Sequence, residues 1–256
     1  MAHTTSQLKE TDLSIRMAEI ATILSQEGRR FNQHLVEQFK EWDRANIEEQ
    51  PDLAVLSHDH LIFYKAVAQT LGWLQQLPVK EPSEPLRVLT TYLRVVLEAK
   101  CGLAKDTGQR LEELLTEGDR AKFRRPRRLL AVIAGLETWS KVQLPDVGPN
   151  GVLNLEEVQR LALSACGRAR WTALAPLKMY TIYKLSEGVY LPTPRGVFPP
   201  MGSAVARGIE YLFGFTLGES ESDYRLSRGL HLKLADLAQT TIWDINSGFY
   251  RLGGGV

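Results

Sequence analysis

The stretch 6–27, SQLKETDLSIRMAEIATILSQE, decides the fold class, because its apolar residues recur with the spacing of one helix face. The positions that share this spacing are Leu8, Leu13, Met17, Ile20, Ile23 and Leu24. Gly28 follows where a helix C-cap is expected. The pattern predicts an amphipathic helix that ends at Gly28 and packs on its own core. The alternative is that a joint at Gly28 lets residues 6–27 exchange between subunits as an arm.

Helical spacing of apolar residues continues along most of the chain. It predicts further helices over residues 30–44, 53–77, 86–104, 109–117, 129–142, 155–166, 171–185, 203–215 and 225–243. Residues 188–200 break the pattern, because four prolines are mixed with β-branched and aromatic residues. The chain is therefore expected to be all-α, with a small irregular β element near 188–200 as the exception.

Residues 144–153 contain two prolines and two glycines and predict a linker between two helical lobes. The lobes would span residues 1–143 and 154–256. Asn154 or Asn150 is expected to cap the helix that follows the linker, which carries Glu156 and Glu157 in its first turn. The glycine-rich tail from Arg251 to Val256 is expected to be mobile.

The composition is that of a globular protein, with 44% hydrophobic and 24% charged residues, which argues against global disorder. Two cysteines cannot form a disulfide framework and favour a reducing compartment. No apolar run approaches the ~20 residues that a membrane span needs. A cytoplasmic location is expected, with the virion as the alternative, and no contact with a membrane.

The net charge of +1 conceals an uneven distribution. Residues 120–210 hold 14 Lys and Arg against 6 Asp and Glu, and the rest of the chain holds 17 against 24. An asymmetry of this kind points to a polyanionic partner or to self-association between unlike surfaces.

Two basic regions are the candidate nucleic-acid contacts. The first places six cations in nine residues, around one phenylalanine, and the second interleaves cations with aromatic residues over 168–195. Guanidinium groups suit phosphate oxygens, and aromatic rings can stack on bases. The predicted contact residues are Arg120, Lys122, Arg124, Arg125, Arg127, Arg128, Arg168, Arg170, Lys178, Tyr180, Tyr183, Lys184 and Arg195. The alternative is a solvated helix start whose cations pair with acidic residues elsewhere.

The histidines suggest a different chemistry. His34, followed at a distance by His58 and Asp59, resembles the opening of the HD-type metal phosphohydrolases, which bind a metal through a His, a His-Asp pair and a later Asp. The resemblance covers residues 34–59 and implies Asp106 or Asp119 as the last ligand. Those enzymes usually follow the pair with a small, Gly-containing turn, whereas apolar residues follow it here.

No Walker, dinucleotide-binding, nucleophile-elbow or paired-cysteine motif is present, so no catalytic residue, metal or cofactor is expected. Size, helical content and charge layout are similar to those of a small viral nucleoprotein or helical capsid subunit. The sequence therefore favours a protein that coats single-stranded nucleic acid, RNA by preference, without reading sequence, and that self-associates through terminal arms. The alternatives are a helical adaptor or assembly protein that binds an acidic protein partner, and the metal phosphohydrolase.

Overall fold

The computed structural model describes the backbone of residues 2–45, 56–75, 83–118, 126–166, 170–191 and 194–255. Side chains are described for residues 14–44, 56–72, 87–118, 128–166, 170–191 and 194–255. These residues form ten helices and no strand, which confirms the all-α prediction. The helices are α1 (Ala2–Ala45), α2 (His58–Gln75), α3 (Ser83–Lys100), α4 (Thr107–Leu114), α5 (Pro126–Lys141), α6 (Leu155–Cys166), α7 (Arg170–Ser186), α8 (Ser203–Phe213), α9 (Glu221–Ala238) and α10 (Ile242–Leu252).

Capping residues begin several of these helices. Asn154 accepts hydrogen bonds from the backbone N–H groups of Glu156 and Glu157, so α6 begins at Leu155 as predicted. Local sequence signals are sufficient there because the cap and its partners lie within one turn. Ser220 forms a capping box with Asp223, so α9 begins at Glu221 and not at the predicted residue 225.

Gly28 does not end a helix, so the predicted C-cap and joint at this residue are wrong. α1 is continuous through Gly28. A Cβ atom at Gly28 would lie 1.7 Å from the carbonyl oxygen of Asp244, and one at Gly248 would lie 2.3 Å from that of Leu24. The glycines are needed because the backbones of α1 and α10 approach each other closely here.

The chain divides into two compact units. The first contains Met1–Val36 and Pro192–Val256, and the second contains Glu37–Leu191, so α1 contributes residues to both. Residues 144–153 lie within the second unit, between α5 and α6, which also pack on each other. The division thus differs from the predicted lobes 1–143 and 154–256.

In the first unit, α10 packs against α1, α8 and α9. Its C-terminal end is fixed rather than free: Gly253 is buried, and its carbonyl oxygen accepts a hydrogen bond of 2.9 Å from Nε of Arg207. The prediction of a mobile tail is therefore wrong for residues 251–255. A Cβ atom at Gly253 would lie 1.7 Å from the carbonyl oxygen of Ala204, which explains the glycine.

Two further predictions of local structure are corrected. The single helix predicted over residues 225–243 is divided into α9 and α10, because Gln239 has a left-handed backbone (φ 49°) and Thr241 caps α10 by accepting from Asp244 N. The irregular β element is not formed: residues 188–191 and 194–200 contain turns and no strand.

In the second unit, α7 packs along α2 and α6, and α2 also packs on α3 and α5. Rings from three helices meet at the centre, where Phe63 lies 5.2 Å from Trp139 and 5.7 Å from Tyr180 between centroids. Residues 173–184 of α7 are buried on every side of the helix. α7 is thus a core helix of this unit. None of the described helices combines the length and the apolar character needed to cross a membrane.

Candidate functional site

The structure describes only part of the first basic region. Arg120, Lys122, Arg124 and Arg125 lie outside the described residues, as does the side chain of Arg127. Arg128 is half-buried in the first turn of α5. No acidic residue occurs in that turn, which consists of Pro126, Arg127, Arg128 and Leu129.

The second basic region is not one surface. The side chains of Lys178, Tyr180, Tyr183 and Lys184 are buried in α7, with between 0% and 4% of their surface exposed. They cannot line a groove for a nucleic-acid strand, and the prediction that placed them there is corrected by their burial. The interleaving of cations and aromatic residues reflects a core helix whose charges are paired.

The other members of this region are divided between the two units. Arg170 is half-buried at the start of α7 in the second unit, and Arg168 lies outside the described residues. Arg195 belongs to the first unit, where its exposed side chain lies 3.5 Å from Asp236. The sequence spacing alone could not reveal that residues 191 and 195 fall in different units.

A buried ion-pair network connects α7 with the start of α2. Lys184 Nζ lies 3.0 Å from Oδ1 of Asp59 and 2.9 Å from Oε2 of Glu187. The hydroxyl of Tyr180 also donates to Asp59 at 3.0 Å, and His58 Nε2 lies 2.8 Å from Oε1 of Glu187. Lys184 and Asp59 are buried, whereas the side chains of His58 and Glu187 are 71% and 25% exposed.

A second pair joins the last turn of α1 to α2. Lys65 Nζ lies 2.5 Å from Oδ1 of Asp43, and the hydroxyl of Tyr183 donates to the same oxygen. Lys65 also donates to the Tyr183 hydroxyl at 3.1 Å. The ring of Tyr183 packs on Phe39 with 4.4 Å between centroids. A lysine in the core is tolerated here because it has two oxygen partners.

These contacts shift the pKa values of the groups involved. Burial raises the pKa of the Tyr183 hydroxyl above its ordinary value, and the hydrogen bond to Asp43 raises it further. Burial lowers the pKa of Lys184, but its hydrogen bonds with Glu187 and Asp59 raise it more, so the net shift is upward. The lysine therefore stays an ammonium ion and the tyrosine stays a neutral donor.

A cleft of about 330 Å³ lies between the network and the Asp43–Lys65 pair. Its lining combines charged groups with an apolar wall: Asp43, His58, Leu61, Ile62, Lys65, Tyr183 and Glu187. Lys65 is the most enclosed of its charges, with 10% of its side chain exposed. The carboxylates of Asp43 and Glu187 are more accessible, at 39% and 25%.

Sequence reasoning did not identify Asp43, Lys65 or Glu187. One signal was available for Lys65, because it interrupts the apolar run from Leu61 to Ala68, and a charge within such a run needs a buried partner. Nothing local points to Asp43 as that partner.

The arrangement does not resemble the metal centre of an HD-type phosphohydrolase. Asp59 is bound by a lysine and a tyrosine instead of a metal ligand set, and His34 lies in α1. Asp106 caps α4 by accepting from Gln109 N, and Asp119 lies outside the described residues. The described part of the chain contains no group of three or more His, Cys, Asp or Glu side chains placed to hold a metal ion.

Comparison with known proteins gives no family, since no family model, curated protein or solved structure matches this chain.

Proposed function

We propose that the chain coats single-stranded nucleic acid, with RNA as the favoured ligand, by binding the phosphate backbone through residues 120–128. The observation that carries the proposal is the density of cations, six in nine residues, directly at the start of α5. A helix N-terminus adds positive potential, which favours phosphate. Contacts to phosphates carry no sequence information, so binding would be independent of sequence. The proposal contains no catalytic step.

The proposed interface is narrower than the one predicted from the sequence. Lys178 and Lys184 are buried in α7, so they are removed from the proposed binding surface, and the proposal rests on the cations of residues 120–128. Residues 120–128 of each subunit are thus expected to contact a short stretch of the nucleic-acid backbone. Self-association through the terminal arms stays a prediction, to be tested by the mass of the protein in solution at low and high salt.

A variant in which Arg124, Arg125, Arg127 and Arg128 are replaced by alanine tests the proposal. An exposed ion pair contributes about 0.2–1 kcal/mol, so the loss of four is expected to weaken binding by between about fourfold and several-hundredfold. Fluorescence anisotropy with labelled poly(U), and with poly(dT) of equal length, measures the affinity and the preference for RNA. Circular dichroism of the same samples shows whether the helices are retained.

A control variant removes the same number of charges from exposed positions elsewhere. Its substitutions are Arg30→Ala, Lys105→Ala, Arg225→Ala and Lys233→Ala. If binding depends on the location of the cations, the control keeps most of its affinity. Equal loss in both variants would mean that net charge alone is responsible. No nucleic-acid affinity in the wild-type protein, together with binding to an acidic protein, would replace the proposal by the adaptor alternative.

A further inference from the structure

The cleft of the second unit has an uncompensated charge. The network and the Asp43–Lys65 pair together contain three carboxylates but only two ammonium groups. Lys65 compensates Asp43, and Lys184 lies between Asp59 and Glu187, so one negative charge has no permanent cation. Glu187 is the most accessible carboxylate of the network and contacts the exposed His58. The carboxylates around the cleft therefore outnumber the ammonium groups by one, which favours a cationic ligand.

The positions of the charges determine which ligand would be attracted. Among the charged residues that line the cleft, the side chains of Asp43 and Glu187 are 39% and 25% exposed, whereas that of Lys65 is 10% exposed. An anion entering the cleft would meet carboxylates first. A cation would be attracted, and a planar one with several N–H donors could bond to both carboxylates.

The remaining walls favour a ligand with an apolar stem. Leu61 and Ile62 line the cleft beside the charged groups. Ile62 is buried and Leu61 is half-buried, so they form a fixed apolar wall of α2. A chain of methylene groups ending in a cationic head would contact both parts of the lining.

From this geometry we infer that the cleft binds a monoalkylguanidinium group, as in the side chain of arginine. The stem lies against Leu61 and Ile62, and the guanidinium donates to Asp43 and Glu187. The volume of about 330 Å³ is at the lower end of the range for small-molecule sites, which suits one side chain or a small amine rather than a nucleotide. This inference does not depend on the proposed nucleic-acid binding, which uses residues 120–128.

Titration of the full chain with small probes tests the inference without any substitution. The probes are N-acetyl-arginine N-methylamide and its neutral isostere, the citrulline derivative, and the response is the shift of the His58 C2 proton in NMR spectra. His58→Gln identifies that resonance. The arginine derivative is expected to shift it saturably and the citrulline derivative to leave it unchanged. Agmatine has the same guanidinium group but lacks the peptide groups. Tighter binding of agmatine than of the arginine derivative would indicate a site for a small amine, and the reverse would indicate a site for a peptide side chain.

Substitution then locates the site. Glu187→Gln removes the uncompensated charge, and a loss of at least about fivefold in affinity for the arginine derivative is expected. Glu137→Gln, which changes an exposed glutamate of α5, is the matched control and is expected to bind as the wild type does. If Glu187→Gln does not fold, Asp43→Asn gives the same test from the other carboxylate. Absence of a saturable shift, equal shifts with arginine and citrulline derivatives, or undiminished binding by both variants would overturn the inference.

Discussion

Replacing Gly28 by alanine is expected to destabilise the first unit by about 3 kcal/mol. The added Cβ would lie 1.7 Å from the carbonyl oxygen of Asp244, whereas ordinary contact begins at 3.4 Å, so α1 and α10 must separate locally by about 1.7 Å. Inserting a methyl group into close-packed structure costs about 1–3 kcal/mol. The clash is with backbone, which cannot turn aside as a flexible side chain can.

The separation would also break two polar contacts. Asn32 Nδ2 donates to Asp244 Oδ1 at 2.8 Å, and Ser247 Oγ donates to Asn32 Oδ1 at 2.7 Å. Asn32 and Ser247 are buried, and a buried polar group without its partner costs about 1–3 kcal/mol. Alanine recovers about 1 kcal/mol over glycine in a helix. With about 2 kcal/mol for the inserted methyl group and about 1 kcal/mol for each of the two broken contacts, the net loss is about 3 kcal/mol.

Gly229 provides the matched control, because it lies in α9 of the same unit with no atom within 4 Å of an added Cβ. Gly229→Ala is expected to stabilise by up to about 1 kcal/mol. For a chain of this length 1 kcal/mol corresponds to about 2–4 °C in Tm. Thermal unfolding followed by circular dichroism should therefore show shifts of opposite sign. A Tm for Gly28→Ala at or above that of the wild type would refute the close approach of α1 and α10.

Three other outcomes are expected. Lys184→Met leaves the buried carboxylate of Asp59 without its cation and should cost about 3–5 kcal/mol in urea unfolding. A change within experimental error would mean that the network is open to water. The hydrogen bond from Arg110 and, next, that from Arg94 lower the pKa of Glu98. The contribution of Glu98 to stability is therefore present above its pKa in the unfolded state and is lost as the pH falls through its pKa in the folded state. Glu98→Gln should be less stable than the wild type at pH 7, and urea unfolding at decreasing pH should show this difference in stability becoming smaller. Burial raises the pKa of the Cys166 thiol to about 11, so mass spectrometry after brief alkylation should find Cys101, which is exposed, modified well before Cys166.

Local signals in the sequence predicted the helices well where their limits depend on neighbouring residues. Asn154 and the glutamates after it define the start of α6 within a single turn, and the predicted bounds of that helix are those observed. Gly28 shows the limit of such reasoning, because the same residue can end a helix or admit a neighbouring backbone. Which applies depends on Asp244, which is distant in sequence.

The sequence does not predict the candidate site, for a related reason. The alternation of cations and aromatic residues along residues 168–195 predicts surface positions for Lys184 and Tyr180. Their burial follows from the packing of α7 on α2, which brings Asp59 to both side chains. Long-range pairing of this kind leaves no periodic trace in a single sequence.

The salt dependence of nucleic-acid binding follows from the burial of Lys178 and Lys184. Log affinity against log salt has a slope of about −0.7 for each phosphate contacted on a single strand. The six cations of residues 120–128 would then give a slope no steeper than about −4, whereas all eleven cations predicted from the sequence would give about −8. Lys178 and Lys184 are buried, and the proposed interface consists of residues 120–128, so the shallower slope is expected. A slope near −8 would require cations beyond those of residues 120–128 to reach the strand, and the confinement of the interface to those residues would be wrong.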